Sequence, residues 1–195
     1  HCRRVAEVKR AAYAGEAYWG RPVPNWAARD LKSVRLLIVG LAPGAHGANR
    51  TGRVFTGDAS GDFLWRSLHA VGLADRAESR RAGDGLTLHG VRIAAAVRCA
   101  PPQNKPTPVE RDTCAPWIAR EVELVAPTLR VVVTLGAFGW GAALSALRDA
   151  GFVIPKPLPR FGHGVEVVLR GPHGPVTLLG CYHPSQQNTF TGKLT

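Results

Sequence analysis

The feature that most constrains the fold is an apolar run that opens directly into a long glycine-rich segment. Residues 34–39 read Val-Arg-Leu-Leu-Ile-Val, a β-branched and apolar pattern typical of a buried strand, and residues 40–58 follow with glycine at five positions. In open α/β sheets, ligands bind just beyond the carboxyl ends of the strands. Ordinary connections are only a few residues long, so a segment of this length at this place predicts an active site.

Helical and strand patterns alternate along the rest of the chain. Helices are predicted over residues 3–14, 60–71, 108–126 and 137–149, and strands over 34–39, 91–98, 130–135, 165–170 and 176–182. The clearest helix start is Thr107-Pro108-Val109-Glu110, a capping box with proline at the first helical position. The alternation predicts an α/β fold: three layers, α/β/α, around a mostly parallel central sheet. We expect residues 1–195 to form one domain, and because His1 cannot be an initiator, we expect a truncated N-terminus.

The charge balance points to a polyanionic partner. The chain has 25 Lys plus Arg against 14 Asp plus Glu, which gives a formal net charge of +11 and a pI near 10.4. Nucleic acid is the leading candidate, although an arginine-rich composition can also reflect coding bias. No apolar stretch approaches the roughly 18 residues that a membrane span needs, so we expect a soluble protein.

Several kinds of chemistry can be excluded from motifs. Residues 47–54 imitate a phosphate-binding P-loop, but Arg53-Val54 stand where Lys and Ser or Thr are needed. The dinucleotide fingerprint, the H-E-x-x-H metalloprotease motif, the zinc deaminase pattern and the nucleophile elbow are also absent.

The four cysteines are too few for a disulfide scaffold, but two of them are suggestively placed. Cys99 ends the predicted strand 91–98, and Cys114 lies in the helix 108–126, so both could face a common point, with Cys2 available from the N-terminal segment. Metal or cluster ligation, a Cys99–Cys114 disulfide and plain buried thiols all remain open.

The loops after residues 39, 97, 135 and 182 should open on one edge of the sheet, because parallel strands share their carboxyl ends. His183 then faces the glycine-rich segment, where its imidazole could donate a hydrogen bond to negative charge developing on a leaving group. Alternatively, His183 satisfies a strand end and Ser185 caps the next turn. Phe55 could stack on a planar ligand or belong to the core.

Three segments together resemble the family-5, b-type iron–sulfur branch of the uracil-DNA glycosylase superfamily. They are Gly40-Leu41-Ala42-Pro43-Gly44 through Thr56-Gly57-Asp58, then Cys99-Ala100-Pro101-Pro102 with Cys114, and His183-Pro184-Ser185-Gln186-Gln187-Asn188 through Gly192. The resemblance implies a monofunctional glycosylase, a hydrolase that excises uracil and other deaminated bases from DNA in base excision repair. It also implies that the base is flipped into a pocket, because the bond cannot be reached inside the stack.

The resemblance also implies a set of site residues. His183 would be the main catalytic hydrogen-bond donor to the leaving base. Phe55 would stack on the base. Ser185 and Asn188 would contact the backbone or fill the gap left by the flipped nucleotide. The remaining implied contacts are Gly40, Ala42, Gly44 and Ala95 with the substrate, and Arg50, Arg53, Gln187 and Lys193 with DNA.

Two departures from the pattern of related families concern catalysis and specificity. Residues 40–43 carry only apolar side chains where sister families place a water-activating acid or amide. The nearest carboxylate is Asp58, which we assign to stabilising the sugar cation or positioning the water, with a helix N-cap as the alternative. Ala95 occupies the position of an asparagine that reads the uracil edge in iron–sulfur relatives, so we expect tolerance of several lesions, including deaminated purines.

The resemblance further implies a structural [4Fe-4S] cluster held by Cys2, Cys99 and Cys114. The fourth ligand would lie before His1; Cys181 is the other possibility, but a buried thiol is the expected state there. Relatives also continue into another helix after the position of Thr195, which implies a truncated C-terminus.

The expected partner is double-stranded DNA, with single-stranded DNA as a further candidate, bound by a monomer in the cytoplasm at the nucleoid, with no membrane. A non-catalytic DNA-binding module with the same fold is the main alternative, and a hydrolase of free nucleosides is a weaker one.

Overall fold

The computed structural model describes residues 15–194, which form one six-stranded sheet with helices on both faces. The strands are β1 (Trp26–Ala27), β2 (Leu36–Gly40), β3 (Val91–Ala95), β4 (Val131–Leu135), β5 (Glu166–Gly171) and β6 (Gly174–Cys181). The helices are α1 (Ala48–Thr51), α2 (Ala59–Ala70), α3 (Pro108–Val125), α4 (Ala137–Asp149) and α5 (Gln186–Thr189), and short 3₁₀ turns cover Leu31–Ser33 and Pro102–Asn104.

The strand order is β1-β3-β2-β4-β6-β5, and the four inner strands run parallel while each edge strand is antiparallel to its neighbour. The register aligns the carboxyl ends of the inner strands, with Gly40 opposite Ala95 and Leu135 opposite Cys181. The predicted α/β fold with a mostly parallel sheet is confirmed, and its inner strands open on one edge.

Helices cover both faces of the sheet, so the protein has three layers, with the sheet in the middle. In β2, Leu37 and Val39 pack into a core with α3 and α4, whereas Ile38 between them packs into a second core with α2. Because side chains alternate along a strand, one apolar run serves both cores. Trp65 of α2, with none of its surface exposed, is the largest fully buried side chain of the second core.

The predicted elements are present within a few residues, with informative exceptions. The capping box of α3 forms as expected, with Thr107 and Glu110 each bonding the other's backbone N–H. The predicted strand 91–98 stops at Ala95, and Ala96 and Val97 bend away while still donating to the carbonyls of Gly40 and Leu41. The predicted helix 3–14 lies outside the described residues.

Three short elements had no periodic signal in the sequence: β1, α1 and α5. Two to four residues are too few to show a period, and α1 stands inside the glycine-rich segment that we expected to be loop throughout. Among residues 15–194, no helix has the length and apolar character needed to cross a membrane.

Candidate active site

A cavity of about 400 Å³ opens at the carboxyl ends of β2 and β3, next to the segment that follows β6. Its walls come from three separate stretches of the chain. The lining residues are Gly40, Leu41, Ala42, Pro43, Gly44, Ala48, Val54, Phe55, Asp58, Ser60, Ala95, Asn104, His183, Ser185 and Gln187. The glycine-rich segment and the His183 segment, far apart in sequence, therefore share one hollow.

Phe55 and His183 face each other inside this cavity. Their ring centroids are 6.0 Å apart with an interplanar angle of 29°, a stacked arrangement. Phe55 has a backbone φ of 54°, in the left-handed region that costs a non-glycine residue energy. The surrounding segment holds it there, since its carbonyl accepts from Trp65 Nε1 of α2. The phenyl ring is thus held in place at the cavity by the backbone beneath it.

Two glycines make room for Phe55. A Cβ on Gly40 would lie 3.0 Å from Cζ of the phenyl ring. A Cβ on Gly61, in the first turn of α2, would overlap the Phe55 carbonyl. The glycines at these positions are therefore needed for the close approach of Phe55, not only for backbone freedom.

Asp58 combines the two roles that the sequence left open. Its Oδ1 accepts from the Gly61 N–H at 3.0 Å, so it is the N-cap of α2. Its carboxylate also lines the cavity, and Oδ2 lies so close to Gly47 that a Cβ there would overlap it. The helix cap fixes one oxygen of the carboxylate and leaves the other on the side of the glycine-rich segment.

Burial shifts the titration of Asp58 and His183 in opposite directions. Desolvation raises the pKa of the Asp58 carboxyl, although the Gly61 N–H and the nearby His183 oppose the shift. Desolvation lowers the pKa of His183 below 6.5, and the charge of Asp58 opposes it only in part. This shift favours the neutral form of the His183 imidazole at pH 7. Within the described residues its ring nitrogens have no hydrogen-bond partner, so they are available to a ligand.

The segment after His183 is held by its own backbone. The His183 carbonyl accepts from the Ser185 N–H at 2.7 Å and from Asn188 Nδ2 at 2.8 Å. Asn188 therefore braces the turn and does not line the cavity, whereas Ser185 does. Ser185 precedes α5 without a side-chain capping bond, so the capping alternative for its hydroxyl is not what the structure has.

The floor of the cavity at Ala95 is supported by residues that the sequence did not single out. The Ala95 N–H donates to Oδ1 of Asn25 at 3.0 Å, and Nδ2 of Asn25 donates to Glu121 at 2.9 Å. Glu121 also pairs with Arg92. The small Ala95 side chain leaves space at the end of β3, and this network fixes the backbone around that space.

The four predicted DNA contacts are in different environments. Gln187 lies exposed at the cavity mouth and Lys193 is exposed beyond α5. Arg50 is mostly buried, with its side chain 16% exposed, and it binds the His46 carbonyl and Glu16.

Arg53, the fourth residue predicted to contact DNA, is engaged inside the protein. Arg53 is 8% exposed, pairs with Asp84, donates to Ser79 at 2.8 Å and stacks over Trp26 at 3.8 Å from the ring centroid. The guanidinium is therefore held inside the protein by an acid, a hydroxyl and one aromatic face, and it does not line the cavity.

Asn104 and Ser60 also line the cavity and were missed. Asn104 follows Cys99-Ala100-Pro101-Pro102 in the loop after β3, and its backbone φ is 55°. Its place in a loop at the correct edge of the sheet was a usable signal. The 3₁₀ turn that aims it at the cavity was not predictable from pattern.

The cysteines are only partly described. Cys2 lies outside the described residues. Cys99 and Cys114 are both half-buried; Cys99 is disulfide-bonded and Cys114 is a free thiol, so the alternative of a Cys99–Cys114 disulfide is wrong. Cys181 is a free thiol whose pKa is raised by burial. Within residues 15–194, no three potential metal ligands come together.

Comparison with known proteins gives a consistent answer over nearly the whole chain. The family model of the uracil DNA glycosylase superfamily matches residues 29–195. The type-5 uracil-DNA glycosylase of Mycobacterium tuberculosis is 56% identical over 98% of this chain and 68% of its own length. That of Thermus thermophilus is 50% identical over 96% of this chain and 80% of its own. The type-4 enzyme of Thermotoga maritima is 35% identical over 53% of this chain and 45% of its own.

Proposed function

The chain belongs to the uracil DNA glycosylase superfamily, and on that premise we propose that it excises uracil from DNA by hydrolysing the N-glycosidic bond, the first step of base excision repair. The observation that carries the proposal is the single cavity in which Phe55, Asp58 and His183 meet at the sheet edge. Its volume, about 400 Å³, lies within the range of small-molecule sites.

The target nucleotide must leave the duplex to reach this cavity. Phe55 offers a planar apolar face on which an extruded base stacks. Gly40 and Ala95 are paired at the ends of β2 and β3 and line the cavity with little or no side chain. The ring of the base can therefore come close to the backbone of both strands. Binding is thus dominated by shape and stacking, with few polar contacts from the strand ends themselves.

Bond cleavage needs donors aimed at the departing base. The bond between sugar C1′ and the base nitrogen breaks with its electron pair going to the base, and water then adds hydroxide to C1′ and a proton to the base. Burial favours the neutral form of His183, and its ring nitrogens are free of described partners, so an imidazole N–H can donate to the oxygen where the negative charge collects. A donor fixed in a buried site stabilises that charge without reorganising during the reaction.

The sugar becomes positively charged as the base leaves. Asp58 is the carboxylate that lines the cavity, with one oxygen tied to the α2 cap. We assign it to stabilising this cation or to positioning the water, since residues 40–43 offer no side chain for either task.

A broader lesion range is part of the proposal. Ala95 presents a methyl group where an amide would read the edge of uracil, so the floor of the cavity has no bidentate filter. We expect hypoxanthine and xanthine to be excised as well. Cleavage of uracil more than about 10⁴-fold faster than both would contradict this expectation, because discrimination of that size needs a polar filter.

The partners follow from the cavity and the charge. We propose that the chain acts as a monomer. The excess of basic residues supports binding to double-stranded DNA and to single strands that carry deaminated bases. We propose that the protein acts in the cytoplasm, at the nucleoid.

We also propose a structural [4Fe-4S] cluster with Cys2, Cys99 and Cys114 as ligands. The described residues fit it only in part: Cys99 and Cys114 are half-buried, and Cys99 is drawn into a disulfide where a cluster would need its thiolate. The raised pKa of Cys181 disfavours that thiol as a ligand. No catalytic step requires the cluster.

Iron and sulfide analysis of anaerobically purified protein tests the cluster. Cys114→Ser should lose most of the iron and the visible absorbance, while Cys181→Ser should keep both. Iron-free wild-type protein, or equal iron in the two variants, would contradict the ligand set.

The activity itself is tested on duplex oligonucleotides with one U:G pair, followed by cleavage of the abasic product. We expect uracil release in single-turnover assays. Tight binding of the duplex without release would identify a DNA-binding module instead, and turnover of deoxyuridine without action on duplex DNA would identify a nucleoside hydrolase.

A further inference from the structure

A second hollow, of about 520 Å³, lies on the other side of α1 from the base cavity. Ala48 of this one-turn helix lines the base cavity, whereas Arg50 and Thr51 line the second hollow. The other residues lining it are Glu16, Ala17, Tyr18, Trp19, Arg21, Arg80, Arg81 and Ala82. We call it the basic hollow, because four arginines and one acidic residue line it.

The arginines of the basic hollow differ in how much of their charge is already used. Arg50 binds Glu16 at 2.7 Å, which neutralises the one acid of the lining. Arg80 reaches Glu78 at 3.3 Å, but both side chains are more than 70% exposed, and such pairs contribute little. The side chains of Arg21 and Arg81 have no ion pair with any residue between 15 and 194. The unneutralised charge therefore belongs mainly to Arg21, Arg80 and Arg81.

Both walls of the basic hollow are joined to α1 by backbone hydrogen bonds. The Trp19 N–H donates to the Arg50 carbonyl at 3.1 Å on one side, and the Ala82 N–H donates to the Thr51 carbonyl at 3.3 Å on the other. The guanidinium of Arg21 stacks over the Trp19 ring, 3.9 Å from its centroid. The position of the hollow relative to the base cavity is thus fixed by backbone hydrogen bonds.

The loop that carries Arg80 and Arg81 is organised from beneath by a buried ion pair. Oδ2 of Asp84 accepts from the N–H groups of Arg80 and Arg81 at 2.8 and 3.4 Å, and the same carboxylate binds Arg53. Burial alone would raise the pKa of Asp84, but these backbone N–H groups and Arg53 outweigh it and hold the pKa well below the usual range. Since the backbone groups are used internally, the guanidinium groups are what the loop offers to a ligand.

Resting on the proposed function, we infer that the basic hollow binds backbone phosphates of the DNA strand whose base enters the cavity. Arginine is well suited to phosphate because its planar fork donates two parallel hydrogen bonds.

The test compares Arg80→Ala/Arg81→Ala with a control that removes the same charge elsewhere, Arg148→Ala/Arg170→Ala. Arg148 is in the last turn of α4, and Arg170 lies on the edge strand β5 opposite Pro175. Both side chains are exposed, and neither lines the base cavity or the basic hollow. Affinity for a uracil-free duplex is measured from 50 to 200 mM salt, and uracil release is measured in single turnover with saturating enzyme.

The loop variant should bind duplex about 10-fold more weakly, with the slope of log K against log salt reduced by about 1 to 2. Its single-turnover rate at saturation should stay within about twofold of wild type. Arg80→Lys/Arg81→Lys should restore the slope, and Arg21→Ala in the opposite wall should weaken binding independently.

Equal affinities and slopes for the loop variant and the control would overturn the inference, as would a lysine variant that fails to restore the slope. These outcomes are separate from failure of the proposed function. A wild-type protein that releases no uracil refutes the activity, whereas a fully active protein with an unchanged salt slope in the loop variant refutes the basic hollow alone.

Discussion

At the residue scale, the site depends on two titratable side chains that burial moves in opposite directions. Burial favours the neutral form of His183 and makes Asp58 a weaker acid, and each partly offsets the other through its charge. Neither effect follows from residue identity, because both come from the desolvated hollow that the distant segments form together.

His183 is the proposed hydrogen-bond donor to the leaving base. His183→Ala should lower the single-turnover rate of uracil release by about 10²–10³, the loss expected for one preorganised donor. Duplex affinity should change little, because the imidazole is inside the cavity. An unchanged rate would show that another group supplies the donor.

The lowered pKa of His183 also predicts a stability effect. When the pH falls below about 6.5, the unfolded chain binds a proton at this residue before the folded chain does, so the folded state loses stability between 6.5 and the lower folded pKa. Urea unfolding of the wild type and of His183→Asn at pH 7.5 and 5.5 measures this effect. The free energy of unfolding should fall more for the wild type than for the variant on acidification. Equal losses would contradict the burial of a neutral imidazole.

Asp58→Asn separates the two roles of Asp58. Asparagine is as good an N-cap as aspartate, and a folded-state pKa raised above 3.8 means that the ionised carboxylate costs stability above that pKa. The variant should therefore be at least as stable at pH 7 while releasing uracil about 10²-fold more slowly. Asp58→Ala should lose about 1 kcal/mol of stability as well. Full activity of Asp58→Asn would leave only the capping role.

At the element scale, α2 and the strand ends position Phe55. The first turn of α2 approaches the Phe55 backbone so closely that only glycine fits at position 61, and Trp65 one turn later donates to the Phe55 carbonyl. The sequence predicted α2 within one residue at each end, but it gave no sign that this helix holds the aromatic residue in a left-handed backbone conformation.

Gly61→Ala tests this contact against Gly141→Ala, a helical glycine of α4 with nothing within 4 Å of an added Cβ. Alanine at 141 should raise stability by about 0.5–1 kcal/mol through helix propensity. Alanine at 61 should instead lower stability and slow uracil release at least 10-fold, because Phe55 must move. Thermal unfolding and single-turnover rates give both readouts, and parallel gains in stability would contradict the close approach.

At the scale of the whole molecule, one buried carboxylate joins the layers. Glu121 of α3 is 7% exposed, pairs with Arg92 of β3 and accepts from Asn25, which in turn accepts from the N–H of Ala95. The helix layer, the sheet and the segment before β1 therefore meet in one network beneath the cavity floor.

Glu121→Gln should cost about 3–5 kcal/mol, because it leaves the largely buried Arg92 charge unpaired. Glu123→Gln on the same helix is the matched control: its pair with Arg120 is exposed, so the loss should be below about 1 kcal/mol. Denaturant unfolding measures both. Similar small losses would show that the Glu121 network contributes little to joining the layers.

The alternation of elements, the boundaries of α2, α3 and α4 and the three motif segments could be read from the sequence, because they depend on local periodicity, capping and turn chemistry. Tertiary structure alone decided which side chains of those segments meet. Arg50 and Arg53, three residues apart, illustrate the difference: Arg53 turns inward to Asp84 and Trp26, and Arg50 lines the basic hollow. Burial and long-range pairing set the roles of such side chains, and neither is encoded in the pattern of their immediate neighbours.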